Sequence, residues 1–193
     1  MKKIITISRE FGAGGGEIGK IVAEKLGYEY YDKSIIIKAA REANVDIDVA
    51  SKWDEVKAPN YGFAQSLFDF YNRSLDEKLF EAQSQVIKSI AEKGNCVVVG
   101  RNANTILKHF DNTLHVFIAA DQQWRMERMR AKYPGLSDDL TIKQVETIDK
   151  RRKKYCSYYT NTEFGNASEF DLCLNSGHLG IEKCADIILE LCK

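Results

Sequence analysis

The spacing of apolar residues along the chain switches repeatedly between a strand-like run and a helical period, and each switch marks an element. "KIITIS" at residues 3–8 is a short, nearly continuous apolar run and predicts a buried strand. From Glu17 to Leu26 the apolar positions are Ile18, Ile21, Val22 and Leu26, which is helical spacing, and Gly27 stops it. "YEYYD" then predicts a second strand ending at Asp32. Residues 33 to about 74 are less regular, helical in two pieces broken around "KAPNYG". A strong helix runs over 76–93, with Leu79, Phe80, Val86, Ile87 and Ile90 on one face and Gly94 after it.

"NCVVVG" is a third strand and runs directly into Arg101. "TLHVFIAA" is a fourth, ending at Asp121, and "QQWRMERMRAKY" is a helix closed by Pro134 and Gly135. A basic helical stretch covers about 140–159, "FDLCLNS" is a fifth strand, and a last amphipathic helix spans 181–192. Strands interleaved with helices in this order predict an α/β fold with a parallel sheet. Two stretches, about 33–75 and 131–165, exceed what a minimal crossover needs. Extra segments at the carboxyl ends of parallel strands are where ligand sites are built.

The loop between the first strand and helix, "SREFGAGGGEIGK", carries the candidate chemistry and admits several readings. Gly14-x-Gly16-x-x-Gly19 matches the dinucleotide pattern, and Asp32 stands where an acidic ribose partner belongs. Gly14 followed at the right distance by Gly19-Lys20 starts a P-loop string, but Ile21 stands where Ser or Thr is required. In a third register Gly12, Ala13 and Gly14 form the turn, and Gly15 and Gly16 occupy the Lys and Ser/Thr positions. A glycine-rich turn with no ligand is the fourth. The helix onset, near Gly16 or Glu17, favours the third, because backbone N–H groups at a helix N-terminus cradle phosphate. Arg9 and Lys20 are the nearby cations.

Composition narrows the partners. With 28 basic and 28 acidic residues the net charge is zero, so no bulk field draws nucleic acid. The 30 residues from Arg125 to Lys154 nevertheless hold ten Lys/Arg against five Asp/Glu, including Arg125, Arg128 and Arg152. Guanidinium forks bind phosphate and hold the charge that develops in phosphoryl transfer. Cys96, Cys156, Cys173, Cys184 and Cys192 form no C-x-x-C pair and mostly sit in apolar runs, which reads as small core residues in a reducing compartment. His109, His115 and His178 are scattered and read as structural or surface residues, and no residues have metal-ligand spacing. No apolar run is long enough to span a membrane, and the expected location is the cytoplasm.

Taken together, "ITISREFGAGGGEIGK", "YYDKSII", "NCVVVGRNANTIL", "HVFIAADQQWRMERMR", "IDKRRKKYCSYY" and "FDLCLNSGHLGIEKCADIIL" resemble the cytidylate kinase-like family within the P-loop nucleoside monophosphate kinases. The resemblance covers nearly the whole chain in order. It implies a three-layer α/β fold of nucleoside monophosphate kinase type, with a five-stranded parallel sheet and helices on both faces. It implies a single domain over 1–193, with a core of 1–32, 76–130 and 166–193, an acceptor-binding segment of about 33–75 and a lid of about 131–165. ATP and Mg2+ are the implied cofactors, with phosphoryl transfer to a nucleoside monophosphate, CMP or dCMP foremost. Gly12, Ala13, Gly14, Gly15, Gly16 and Glu17 would hold the ATP phosphates. Asp32, Lys38 and Arg101 would face the acceptor, and Arg125, Arg128 and Arg152 would surround the transferring group. Arg9, at the start of the loop and not part of that carry-over, is the catalytic candidate that would replace the charge the loop lacks. Asn175 to Gly177 would lie near the adenine. The implied partners are small nucleotides, with neither nucleic acid nor membrane. The departure is at Gly15 and Gly16, where true cytidylate kinases carry Lys and Ser/Thr. That gap keeps open a non-catalytic nucleotide sensor, and the aromatics Trp53, Tyr61, Phe63, Phe68, Phe70 and Tyr71 keep open a different small acceptor.

Overall fold

The computed structural model describes residues 3–32, 35, 66–134 and 138–193. Lys38, Trp53, Tyr61 and Phe63, and with them most of the expected acceptor segment, lie outside the described residues.

All five expected strands are present: β1 (Ile4–Arg9), β2 (Glu29–Tyr31), β3 (Cys96–Val99), β4 (Thr113–Ala119) and β5 (Leu172–Asn175). They form one sheet in the order β2-β3-β1-β4-β5, and every pairing is parallel. β1 is central, with Ile4 to Ile7 in register with Cys96 to Val99 on one side and with Thr113 to Val116 on the other. A parallel sheet needs both faces covered, which is why β1 reads as an unbroken apolar run.

The two faces are packed by different helices. On one, Ile5, Ile7, Val97, Val99, Val116 and Ile118 meet Ile18 and Val22 of α1 (Gly15–Leu26) and the last helix, whose Cys184, Ala185 and Ile188 are buried. On the other, Ile4, Cys96 and Val98 meet Val86, Ile87 and Ile90 of α2 (Ser66–Lys93) and Leu107, just after the short α3 (Ala103–Ile106). Fully burying side chains of this size contributes about 1.5–3 kcal/mol each. A smaller cluster of Met126, Met129 and Val145, with Phe11 against it, joins α4 (Gln122–Lys132) to α5 (Asp138–Thr160). The chain ends with a 3-10 turn, α6 (Ser176–Leu179) and α7 (Ile181–Leu191).

Helix boundaries differ from the sequence reading in three places. α1 begins at Gly15, one residue earlier than expected, with left-handed Gly14 as its N-cap. α2 starts at Ser66 and not near 76, so the end of the stretch read as a separate, less regular helical piece is continuous with it. The short α3 and α6 carry no periodicity of their own and are invisible to a pattern search. Cys96, Cys156, Cys184 and Cys192 are buried as expected, whereas Cys173 is exposed. Among the described residues no helix is long and apolar enough to cross a membrane.

Candidate functional site

The glycine loop follows β1 and opens at the carboxyl edge of the sheet. Gly12 (φ 83°) and Gly14 (φ 79°) are left-handed, a conformation that a side chain disfavours by about 1–2 kcal/mol. Space is also short: a Cβ on Gly12 would lie 3.1 Å from Cβ of Arg125, and one on Gly14 would lie 2.3 Å from Cδ1 of Ile181. At the start of α1 the Glu17 and Ile18 amides donate to the Gly14 carbonyl at 3.0 Å, and Gly15 and Gly16, whose N–H groups precede the first full helical turn, line the cleft. Gly19 and Lys20 sit in the second turn of α1, so the register that ends at Lys20 fails. Gly19 is there for packing: a Cβ would stand 3.0 Å from Val99 and 3.2 Å from Ile7.

Behind the loop stand braces that side-chain chemistry makes obligatory. Ser176, fully buried, donates to the Ala13 carbonyl at 2.7 Å. Asp149 accepts from the Phe11 amide at 2.7 Å, and its second oxygen holds Arg125 Nη1 at 2.5 Å. Arg125 also donates to the Phe11 carbonyl at 3.1 Å and approaches Glu10 at 3.6 Å. Glu10 in turn accepts from the Ala120 amide at 3.1 Å. Arg125 is therefore buried beneath the loop, turned to the loop backbone and not among the residues lining the cleft.

The cleft itself has a volume of about 420 Å³, within the range of small-molecule sites. Gly12, Gly14, Gly15, Gly16 and Glu17 form its floor, and Arg9, Lys20, Arg128, Lys132 and Arg152 bring positive charge to it. Arg128 pairs with Glu17 and lies over the Trp124 ring, 5.6 Å from its centroid. Arg152 reaches down from α5 and donates to the Arg9 carbonyl at 3.0 Å. Asp32, at the end of β2, is 4.0 Å from the Arg9 guanidinium. Tyr30 donates to the Gly16 carbonyl at 3.3 Å and to Asp32 at 3.4 Å. Burial, and then the Asp32 charge, pushes the Tyr30 phenol up to about 12, so it remains a donor at neutral pH.

Arg9 and Arg152 also line a second, narrower cavity, with Ser8, Arg101, Asn104, Tyr155, Glu163 and Phe164. Its floor is the turn after β3, where Gly100, Arg101 and Asn102 are all left-handed (φ 77°, 63° and 52°). A long side chain in that region is strained and persists only where the surroundings hold it; Arg101, only 2% exposed, stands in the cavity wall. Gln83 of α2 donates to the Arg101 carbonyl at 3.4 Å and to Tyr155 at 3.1 Å. Ser8 donates to Asn104 at 3.2 Å. Phe80 of α2 stacks on Tyr159 of α5, centroids 4.3 Å apart. Gln83, Asn104 and Tyr155 were not legible as site residues: each is a single polar side chain without a spacing signal, and only the fold brings it in.

Of the sequence candidates, the structure thus gathers Arg9, Gly12, Gly14, Gly15, Gly16, Glu17, Asp32, Arg101, Arg128 and Arg152 around two adjoining cavities, with Ala13 buried in the loop. Asn175 caps α6, accepting from the Gly177 amide at 3.0 Å, and Gly177 packs near Trp124.

The model of the cytidylate kinase-like family matches residues 4–178. The chain is 32% identical to the cytidylate kinase of Archaeoglobus fulgidus over 96% of its own length and 92% of that protein's. Among solved structures it resembles an uncharacterized protein from Eubacterium ventriosum (TM-score 0.74, 24% identity, 98% and 97% of the two chains). A shikimate kinase from Bacteroides thetaiotaomicron shares the fold at lower similarity (TM-score 0.54, 17% identity, 97% and 96%).

Proposed function

The chain belongs to the cytidylate kinase-like family, and from that premise we propose that it transfers the γ-phosphoryl group of ATP to a nucleoside monophosphate, CMP or dCMP foremost. The observation that carries the reading is the pair of adjoining cavities with Arg9 and Arg152 in the wall of both. One has the floor of a triphosphate site: glycine backbone at a helix N-terminus, ringed by cations. The other ends at Arg101, a buried guanidinium suited to a monophosphate. Two phosphate sites meeting at shared arginines is what in-line transfer between two nucleotides requires.

In this reading an oxygen of the acceptor phosphate attacks the γ-phosphorus, the bond from that phosphorus to the β-bridging oxygen breaks, and ADP leaves with the electron pair. No general base is needed, because the acceptor oxygen is already an anion. Arg128 and Arg152 hold the charge spread over the transferring oxygens. Arg125, with Asp149, keeps the loop backbone in place and acts on the reaction through it. Asp32, a hard oxygen donor beside the loop, would contribute to holding Mg2+, which would supply neutralisation of phosphate charge. The segment about 33–75 would cover the acceptor, and about 131–165, which includes all of α5, would close over the phosphates and keep water out.

The test is ADP formation from ATP and Mg2+ with a panel of monophosphates headed by CMP, dCMP and UMP. Turnover that depends on one of them supports the proposal and names the acceptor. ATP binding by calorimetry without turnover on any member would replace it with a nucleotide sensor or a kinase for another small acceptor.

A further inference from the structure

Resting on that reading of the glycine cleft, we propose that Arg9 supplies the cation for the β- and γ-phosphates, from the start of the loop, which the widespread P-loop string supplies as lysine at its end. The string Gly-x4-Gly-Lys-Ser/Thr places an ammonium one residue after its last glycine. Here that residue is Gly15, directly after left-handed Gly14. A triphosphate cradle without a cation at that point lacks the charge that the loop itself supplies to the β- and γ-oxygens.

The structure shows what stands in the vacated space. A Cβ built on Gly15 would lie 2.6 Å from Cβ of Arg9 and 2.9 Å from its Cγ. The stem of Arg9 therefore runs where a side chain at position 15 would begin. Its guanidinium enters the same cleft that Gly12, Gly14, Gly15 and Gly16 floor. Asp32, 4.0 Å away, orients it from the far side, and the Arg152 contact to the Arg9 carbonyl fixes the backbone from which it springs. Residue 15 is glycine here because residue 9 is arginine. The two positions are alternative mounts for one charge.

The experiment is a charge transplant read by ATP binding, with and without turnover. Arg9→Met keeps the stem and removes the guanidinium. It should leave the melting temperature of the unliganded protein within a degree or two of the original, yet weaken ATP binding about 10–100-fold and abolish most of the ATP-induced rise in melting temperature. Gly15→Lys alone should unfold at lower temperature, since the new Cβ collides with the Arg9 stem. Arg9→Gly with Gly15→Lys should regain ATP affinity to within about threefold of the original, a coupling far from additive. ATP affinity unchanged in Arg9→Met, or no recovery in a folded double variant, overturns the assignment of Arg9 while leaving the kinase reading intact. An original protein that binds no ATP at all overturns both.

Discussion

Arg125 and Asp149 meet at 2.5 Å beneath the glycine loop, and the same aspartate accepts from the Phe11 amide, so one ion pair ties α4 and α5 to the loop backbone. Both residues are buried. Removing one partner strands the other charge out of water, which costs about 3–5 kcal/mol. Arg125→Met should therefore lower the unfolding free energy in urea by that order. A residue that only contacts a bound nucleotide would leave the unliganded stability unchanged, so denaturation separates the two roles.

Arg101 should behave in the opposite way. Its side chain lines the narrow cavity and not the glycine cleft. Arg101→Ala is expected to lower kcat/KM for the accepting monophosphate about 100-fold or more, while calorimetry finds ATP binding little changed. Equal turnover in the variant would remove Arg101 from the acceptor site.

Gly14 is constrained twice, by its left-handed backbone and by Ile181. Gly14→Ala should destabilise the protein by about 2–4 kcal/mol, the sum of backbone strain and overpacking. Adding Ile181→Ala frees the space but not the dihedral, so the pair should recover only the packing part, once the cost of Ile181→Ala alone is subtracted.

Alkaline pH should unfold the protein through β2. Burial raises Tyr30 and Tyr31 to about 12 from the ordinary phenol value. Between pH 10 and 12 the folded state binds more protons than the unfolded one, so stability falls as pH rises through that window and is intact below it. Ultraviolet titration of tyrosinate should place Tyr30 and Tyr31 among the late phenols, and Tyr30→Phe should flatten the decline in stability.

Thiol titration offers a simple check of the core. Cys173 is exposed, whereas Cys96, Cys156, Cys184 and Cys192 are buried, and burial pushes Cys96 up to about 11. An aromatic disulfide reagent should modify one thiol per folded chain and five after denaturation.

How much of this was legible in the sequence depends on whether a residue belongs to a repeating pattern. The five strands and α1 announced themselves, because burial on both faces or on one stripe leaves a period. Gly12 to Gly16 stood out as a glycine cluster before a helix, and the structure puts Gly12, Gly14, Gly15 and Gly16 on the wall of the cleft. Arg101 was legible from its place at the end of "NCVVVG". Arg125, Arg128 and Arg152 looked alike along the chain, yet Arg125 faces a buried aspartate while the others line the cleft. Asp149 is 24 residues away and Glu10 lies before the loop, so nothing local could distinguish them. Gln83 carries no signal until the chain is folded around it, and the brace from Ser176 to the Ala13 carbonyl is visible only then.

The closeness of Arg9 to the missing side chain of Gly15 bears on how such a loop can change over generations. A chain with both arginine and lysine is crowded, and a chain with neither lacks the charge. Each single replacement is thus disfavoured, although the two endpoints are equivalent in the cleft. Such sign epistasis would divide descendants into two lineages, one with the cation written before the glycines and one after, and a motif search built on either would pass over the other.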